Sequence, residues 1–409
     1  MSNTCPVMHD MKMLEPTFVS DPYAYCPALL EAPVQYSPEL DAYLVTRYAD
    51  VDAILQDTDQ FSSSNTNVPI FPPADAAIDV LKAGDVYLPP NLINADPPRH
   101  TFVRRMVADA ISPRRIRGLE PFLRQWVENA VDQIAARGHG NIYQEIGFPL
   151  PAITAFSLIG FPAEDTELLK SWCDRRVTLT YGRASEDEQV RVAESVAAFW
   201  EYTNRFIETR MANPVDDFTS DMVRHHFETP EEFTQRDIAS VLFGMSLAAH
   251  ETTTNLISNG VRRLMENREQ WEKLVADPSL IPNAVEECLR YDTPVITWRR
   301  RAKQDIEIQG ILIPENATIM MMFFSANWDP ARFENPEVFD VVRKEARNHL
   351  TFGKGVHFCS GAPLARLEMK IVLENLVAKV PNMNIVPGQK FEFTPNIAMR
   401  GPNSLLVTV

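Results

Sequence analysis

Phe352-Gly353-Lys354-Gly355-Val356-His357-Phe358-Cys359-Ser360-Gly361 is the stretch that decides how this chain is read, because the run APLARLEMKIVLENLVAKV follows it at once. In that run Leu364, Leu367 and Ile371 form an apolar stripe, Arg366, Lys370 and Glu374 lie on another face, and Pro363 suits a first helical turn. Cys359 therefore sits just before a helix N-terminus. Partial positive charge and unpaired backbone N–H groups there stabilise a thiolate, and the loop glycines let the backbone approach a flat group without a Cβ clash. A lone cysteine in a glycine-rich turn is ordinarily an inert buried thiol. Phe352, Gly353, Gly355, His357, Cys359 and Gly361, each expected at roughly one in fifteen, fall together in this spacing by chance near one in ten million, which favours the functional reading.

Around this loop the composition is that of an ordinary globular protein. With 409 residues, 45% of them hydrophobic, the chain can bury a large core, and its length suggests more than one lobe. Cys5, Cys26, Cys173, Cys288 and Cys359 are odd in number, scattered and free of any Cys-x-x-Cys spacing, which argues against a disulfide framework or a zinc site. A net charge of −16 disfavours nucleic acid as a partner. The apolar stretches fall short of the roughly 20 residues a membrane span needs, and the N-terminus lacks a signal-peptide pattern. The expected setting is the cytoplasm.

Along the chain, residues 1–20 read as an extended N-terminal arm and 21–409 as a single domain. VQYSPELDAYLVTR predicts a hairpin of two short strands, followed by a helix over Tyr48–Gln56. Residues 62–94, with five prolines, read as a long functional loop. Helical periodicity runs from Arg99 to about Tyr291, interrupted at Gly138–Gly140, Gly160–Pro162 and Pro214–Pro230. Residues 296–325 turn β-rich, IEIQGILIP and ATIMMMFF resembling a hairpin around Gly310, and SLLVTV reads as a terminal strand.

One helix is unusually long. Thr234-Gln235-Arg236-Asp237 offers a capping-box start, and the pattern continues to about Asn267. Ile238, Val241, Leu242, Met245, Ala249, Thr252 and Leu256 share a face, so a hydroxyl falls where the pattern calls for an apolar side chain. The small and β-branched residues of Ala248-Ala249-His250-Glu251-Thr252-Thr253-Thr254 weaken the helix locally and can open a groove; a Thr bonded to its own backbone is the commoner outcome.

Taken together, the Cys loop and this helix resemble the cytochrome P450 family, whose haem-binding signature is Phe-Gly-x-Gly-x-His/Arg-x-Cys-x-Gly. The resemblance implies a mainly α fold with a smaller β region, shaped as a triangular prism, with haem b between the long central helix and the Cys-loop helix. It implies Cys359 as the thiolate ligand of the iron, a ligand that favours O–O cleavage. Phe352, Gly353 and Gly361 would frame the cofactor, His357 would meet a propionate, and Ala248 would face the haem. Ala248 to Thr252 match the family's oxygen-activation motif, implying Thr252 and Glu251 as the groups that activate dioxygen and relay protons. Ala249 stands where glycine is usual and Glu251 where aspartate is commoner.

The same resemblance implies further roles. Asp96 to Arg104 match the haem-propionate helix, suggesting His100 and Arg104 as charge partners, with Arg300 as a third; Glu287, Arg290 and Arg332 match a structural triad. Met245, Ala248, Val295, Ile296, Thr297, Trp298, Ile397 and Ala398 would line a mostly apolar pocket for a small hydrophobic or aromatic molecule. AAHETT, LTFGKGVHFCSG and LARLEMKI look especially like haem domains fused to a phthalate-dioxygenase-type reductase and like stand-alone thiocarbamate-oxidising relatives. No Cys-x₄-Cys-x₂-Cys ferredoxin pattern is present, so electrons are expected from a separate ferredoxin and ferredoxin reductase, or the chain is cut from such a fusion. Arg114, Arg115 and Lys354 are the expected docking cations. A peroxide-driven peroxygenase and a haem-based gas sensor are the competing readings, the first weakened by the Glu251-Thr252 pair and the second by the lack of a signalling domain.

Overall fold

The computed structural model describes residues 12–173 and 176–409, and its chain folds into two compact units. One comprises the chain up to Asn65 together with Pro121–Leu150 and Glu251–Val409; the other comprises Thr66–Glu120 and Pro151–His250. Helices dominate and the sheets are small.

The first unit holds a five-stranded sheet in the order Val34–Ser37, Ala42–Val45, Thr318–Met322, Thr297–Ala302, Phe61–Ser62. The expected hairpin is present, Val34 facing Val45. Its second strand then pairs in parallel with a strand nearly three hundred residues away in sequence, Ala42 opposite Thr318. The turn at Gln309-Gly310, with both φ angles positive at 52° and 77°, closes Ile306–Ile308 onto Ile311–Ile313. ATIMMMFF does not complete that hairpin: its strand joins the five-stranded sheet, and Phe323–Ala326 turns helical. Leu406–Thr408 pairs with His139–Asn141 and with Asn384–Ile385.

At the N-terminal end Pro16–Ser20 is a helix rather than extended chain. Phe18 is buried edge-on against Phe324, and apolar burial of this kind outweighs the weak intrinsic helicity of five residues. Met1 to Met11, the rest of the expected arm, and with them Cys5, lie outside the described residues.

The second unit is helical. Two of its helices fall where the sequence predicts none. Asp75–Ala83 forms inside the proline-rich loop and packs on the helix Glu186–Ala212; Gly84 ends it so close to that neighbour that a Cβ would stand 2.7 Å from the Ala197 Cβ. Phe218–Glu228 forms within the expected break, capped by the Asp217 carboxylate accepting from Ser220 N–H at 2.7 Å. Gln235–Glu266 is one continuous helix, within a residue of its expected ends. The Asp237 carboxylate accepts from Thr234 N–H at 2.8 Å and Thr234 Oγ1 accepts from Asp237 N–H at 3.3 Å, the reciprocal cap that the sequence predicts. Among the described residues no helix is long and apolar enough to cross a membrane.

Candidate active site

Steric demands shape the cysteine loop. Gly353 and Gly355 adopt φ of 65° and 66°, and a Cβ on Gly355 would stand 2.7 Å from the Leu55 carbonyl oxygen, so only glycine fits there. Cys359 N–H donates to the Phe352 carbonyl at 2.9 Å, folding the loop back on itself. Gly361 caps the helix Ala362–Lys379, so the cysteine precedes the positive end of an 18-residue helix. Cys359 is exposed, whereas Cys26, Cys173 and Cys288 are buried. Burial pushes the Cys26 and Cys288 thiols far above their ordinary range, which keeps them protonated. Among the described cysteines, position and solvation thus single out Cys359 as the thiolate.

Beside the loop, His357 Nε2 lies 3.0 Å from Ser63 Oγ, and Asn65 donates from Nδ2 to the Arg300 carbonyl at 3.0 Å. Arg300 itself is buried at 3% exposure and its Nη1 donates to the Arg299 carbonyl. The buried Asn65 Oδ1 has no hydrogen-bond partner. The segment Ser63–Asn65 thus touches both His357 and the backbone of Arg300, and the Ser63 hydroxyl, the His357 ring and the Arg300 guanidinium are donors of the kind that suits the carboxylates of a dianionic cofactor. Ser63 and Asn65 escape the sequence reading. The available signal is the run Ser62-Ser63-Ser64-Asn65-Thr66, whose small polar residues are mostly buried.

The long helix carries its own mark. Residues 237–243 and 253–262 are buried, but between them Gly244, Met245, Leu247, Ala249, Glu251 and Thr252 keep accessible surface and Ala248 is exposed. In the middle of this 32-residue helix, between two buried runs, the exposed Ala248 leaves room beside the backbone. Ser246 bonds back to the Leu242 carbonyl at 2.8 Å, the local distortion that a hydroxyl brings to a helix. In the second unit His100 is 1% exposed, and Arg104 lies one turn further along the helix Arg99–Ala110.

Behind the cysteine loop lies a buried ion-pair hub, and here the structure corrects one expectation. Glu287 accepts from Arg290 at 2.7 and 2.8 Å, and its third partner is Arg343 at 3.2 Å, not Arg332. After Asp329 a turn sends Arg332 outward, where its guanidinium lies 5.4 Å from the Tyr48 ring centroid. The chain returns to the helix Ile281–Tyr291 from Pro336, whose carbonyl accepts from Arg290, to Asp340–Arg343, the Asp340 N–H also donating to Glu287.

Next to it, Glu286 is held by Arg366 at 2.8 and 3.0 Å and by His349 at 3.2 Å. Burial alone would raise this carboxyl; the hydrogen bonds from His349 and Arg366 overcome burial and hold it at about 2. A folded-state value below the unfolded one, about 4.3, gives stability that is complete above pH ~4.3 and lost as pH falls toward 2. Glu286→Gln is expected to flatten the dependence of Tm on pH in that window; an unchanged acid limb would show that other carboxylates set it.

Of the expected pocket residues, Met245, Ala248, Val295 and Trp298 retain surface. Ile296, Thr297, Ile397 and Ala398 are at most 2% exposed. Pairing consumes their backbone groups, Ile296 N–H donating to the Ala398 carbonyl, and the Thr297 hydroxyl donates to the Ile397 carbonyl at 2.5 Å. These four are wall framework rather than lining. The expected docking cations also divide. Arg115 is engaged by Asp216 and Asp221 and only 14% exposed, Lys354 pairs with Asp52 at 2.6 Å, and Arg114 remains 76% exposed.

The family model described as Cytochrome P450 matches residues 154–380. Cytochrome P450 CYP107DY1 of Priestia megaterium is 32% identical over 370 residues, 90% of this chain and 89% of that protein. Cytochrome P450 CREJ, solved in complex with (4-ethylphenyl) dihydrogen phosphate, superposes with a TM-score of 0.93 at 35% identity, covering 98% of this chain and 99% of that one. An intact type IV self-sufficient cytochrome P450 monooxygenase gives a TM-score of 0.94 at 35% identity, covering 98% of this chain but 52% of that one.

Proposed function

The chain belongs to the cytochrome P450 family, haem-thiolate monooxygenases that require dioxygen and a redox partner, and from that premise we propose that it inserts one oxygen atom of O₂ into a small aromatic substrate by hydroxylation or dealkylation. The cofactor is haem b, and Cys359 is the cysteine of its motif. Bound there, haem supplies the site for dioxygen and the thiolate's electron push toward O–O cleavage. The residues present fit such a group: an exposed cysteine at a helix start, His357 in the same loop, the buried Arg300, and a central helix opened at Ala248.

In this reading His357, Ser63 and Arg300 hold the cofactor's carboxylates, Asn65 positions the Arg300 backbone, and His100 and Arg104 are further candidates for the same role. Glu251 takes protons from solvent and passes them on, and Thr252 holds a proton at Oγ1 facing the opened stretch. The accessible stretch in the middle of this helix, residues 244–252 between two buried runs, carries the proposal, because Glu251 and Thr252 lie on it. Proton delivery of this kind supports the O₂-driven reaction over a peroxide-driven one, which has no need of it. A single-ring compound the size of the aryl phosphate bound by the similar structure is the substrate size we propose. Electrons come from a ferredoxin and ferredoxin reductase or from a phthalate-dioxygenase-type reductase.

Thr252→Ala tests the proton route. Positioned proton donors contribute about 10²-fold or more, so product per electron consumed is expected to collapse while hydrogen peroxide release rises in compensation. Coupling equal to wild type would remove Thr252 from the reaction.

A further inference from the structure

Among the described residues, Arg176 is a charge without a counter-charge. It precedes the short helix Val177–Tyr181, its guanidinium lies 3.9 Å from the Phe243 ring centroid, and its Nη1 is buried with no hydrogen-bond partner. Among the described residues no carboxylate reaches it. Its surroundings are aromatic: Phe243 packs on Phe199 at 5.2 Å and on Trp200 at 6.1 Å, and Phe199 meets Trp172. Burial pushes the guanidinium down to about 9, so it is still charged at neutral pH.

Two further features make this a site rather than a packing accident. Arg176 keeps some accessible surface although its Nη1 is buried, so it is neither sealed into the core nor open to solvent. Phe243 is followed one helical turn later by Leu247, which also keeps surface, and then by the exposed Ala248. From Phe243 to Ala248 is five residues, roughly 7–8 Å along the helix, about the length of a substituted benzene ring.

We infer that Arg176 is the counter-ion site for an oxyanionic group, a carboxylate or a phosphate monoester, carried at one end of a single-ring aromatic substrate whose other end lies at Ala248. This deepens the monooxygenase reading and rests on it. Cation stacking on Phe243 orients the guanidinium edge, leaving its N–H groups to the ligand, and exclusion of water strengthens the pair. A neutral molecule of the same shape would leave the buried charge unanswered, so the site selects by charge as well as by size.

The test uses the haem-loaded full chain and three ligands: 4-ethylbenzoic acid, (4-ethylphenyl) dihydrogen phosphate and methyl 4-ethylbenzoate. Binding is followed by the shift of the haem absorption band and, independently, by calorimetry. At least one anion is expected to bind about tenfold or more tighter than the ester. Arg176→Met should erase that difference, weakening the anion and sparing the ester, and Arg176→Lys should restore part of it. Ligand-free Arg176→Met should melt no lower than wild type, since a desolvated, unanswered charge has been removed; a residue of purely structural use would lower the melting point. An ester that binds wild type as tightly as both anions overturns the inference, as does an unchanged anion affinity in Arg176→Met. Should that variant not fold, the comparison on the wild-type protein decides. Failure to take up haem would instead overturn the function proposed above, before any ligand is added.

Discussion

Glu287→Ala is expected to cost about 3–5 kcal/mol, the range for breaking a buried ion pair by removing one partner. Set against the 5–15 kcal/mol that ordinarily holds a domain together, this leaves the chain near the edge of folding. The size of the effect follows from the geometry. Glu287 and Arg290 are fully buried and Arg343 is 8% exposed, so losing the carboxylate strands two guanidiniums where water cannot reach them. Arg290 is also committed to the carbonyls of Asn327 and Pro336, and Arg343 to those of Glu334, Asn335 and Val338, so neither can turn to solvent without releasing the segment that leads into the cysteine loop. Arg343→Ala should approach the same loss, whereas Arg332→Ala should stay within about 1 kcal/mol, the worth of an exposed cation–ring contact. Urea unfolding of the three variants checks this. Arg332→Ala as damaging as Arg343→Ala would return Arg332 to the hub.

Cys359→Ser is expected to abolish turnover while leaving the fold intact. The side chain is exposed, so its replacement forfeits little packing, and the loop's shape rests on Gly353, Gly355 and the bond from the Cys359 N–H to the Phe352 carbonyl, all of which serine keeps. What is lost is the thiolate: a serine hydroxyl stays protonated at the helix start where a thiol ionises. The carbon monoxide difference spectrum should therefore lose its thiolate-ligated form, with Tm of the haem-free protein unchanged. Cys288→Ser is the control in the opposite sense, expected to lower Tm through its buried site and to leave the spectrum as in wild type. A thiolate spectrum surviving in Cys359→Ser would move the ligand to another cysteine.

The sequence by itself determined whatever is local. The cysteine loop is ten contiguous residues whose glycines and helix start can be recognised without knowing what lies opposite them. Gln235–Glu266 follows from a 3.6-residue period sustained over many turns with a readable cap, and the Gln309-Gly310 turn follows from residues that tolerate positive φ. The helix Asp75–Ala83 was hidden for the converse reason: nine residues among prolines carry too short a period to be read, and packing on the helix Glu186–Ala212 stabilises what propensity alone would not. Only the tertiary structure decided which distant groups meet. Arg343 displaced Arg332 because the path of a loop, not spacing along the chain, sets which guanidinium arrives beneath Glu287. Ser63 and Asn65 follow the strand Phe61–Ser62, and its pairing with the strand that carries Arg300, Phe61 opposite Ala302, is a register that no sequence period encodes. Arg176 belongs to none of the motifs read from the sequence; its place against Phe243 comes from tertiary packing, which takes water from its Nη1 and leaves the charge to a ligand.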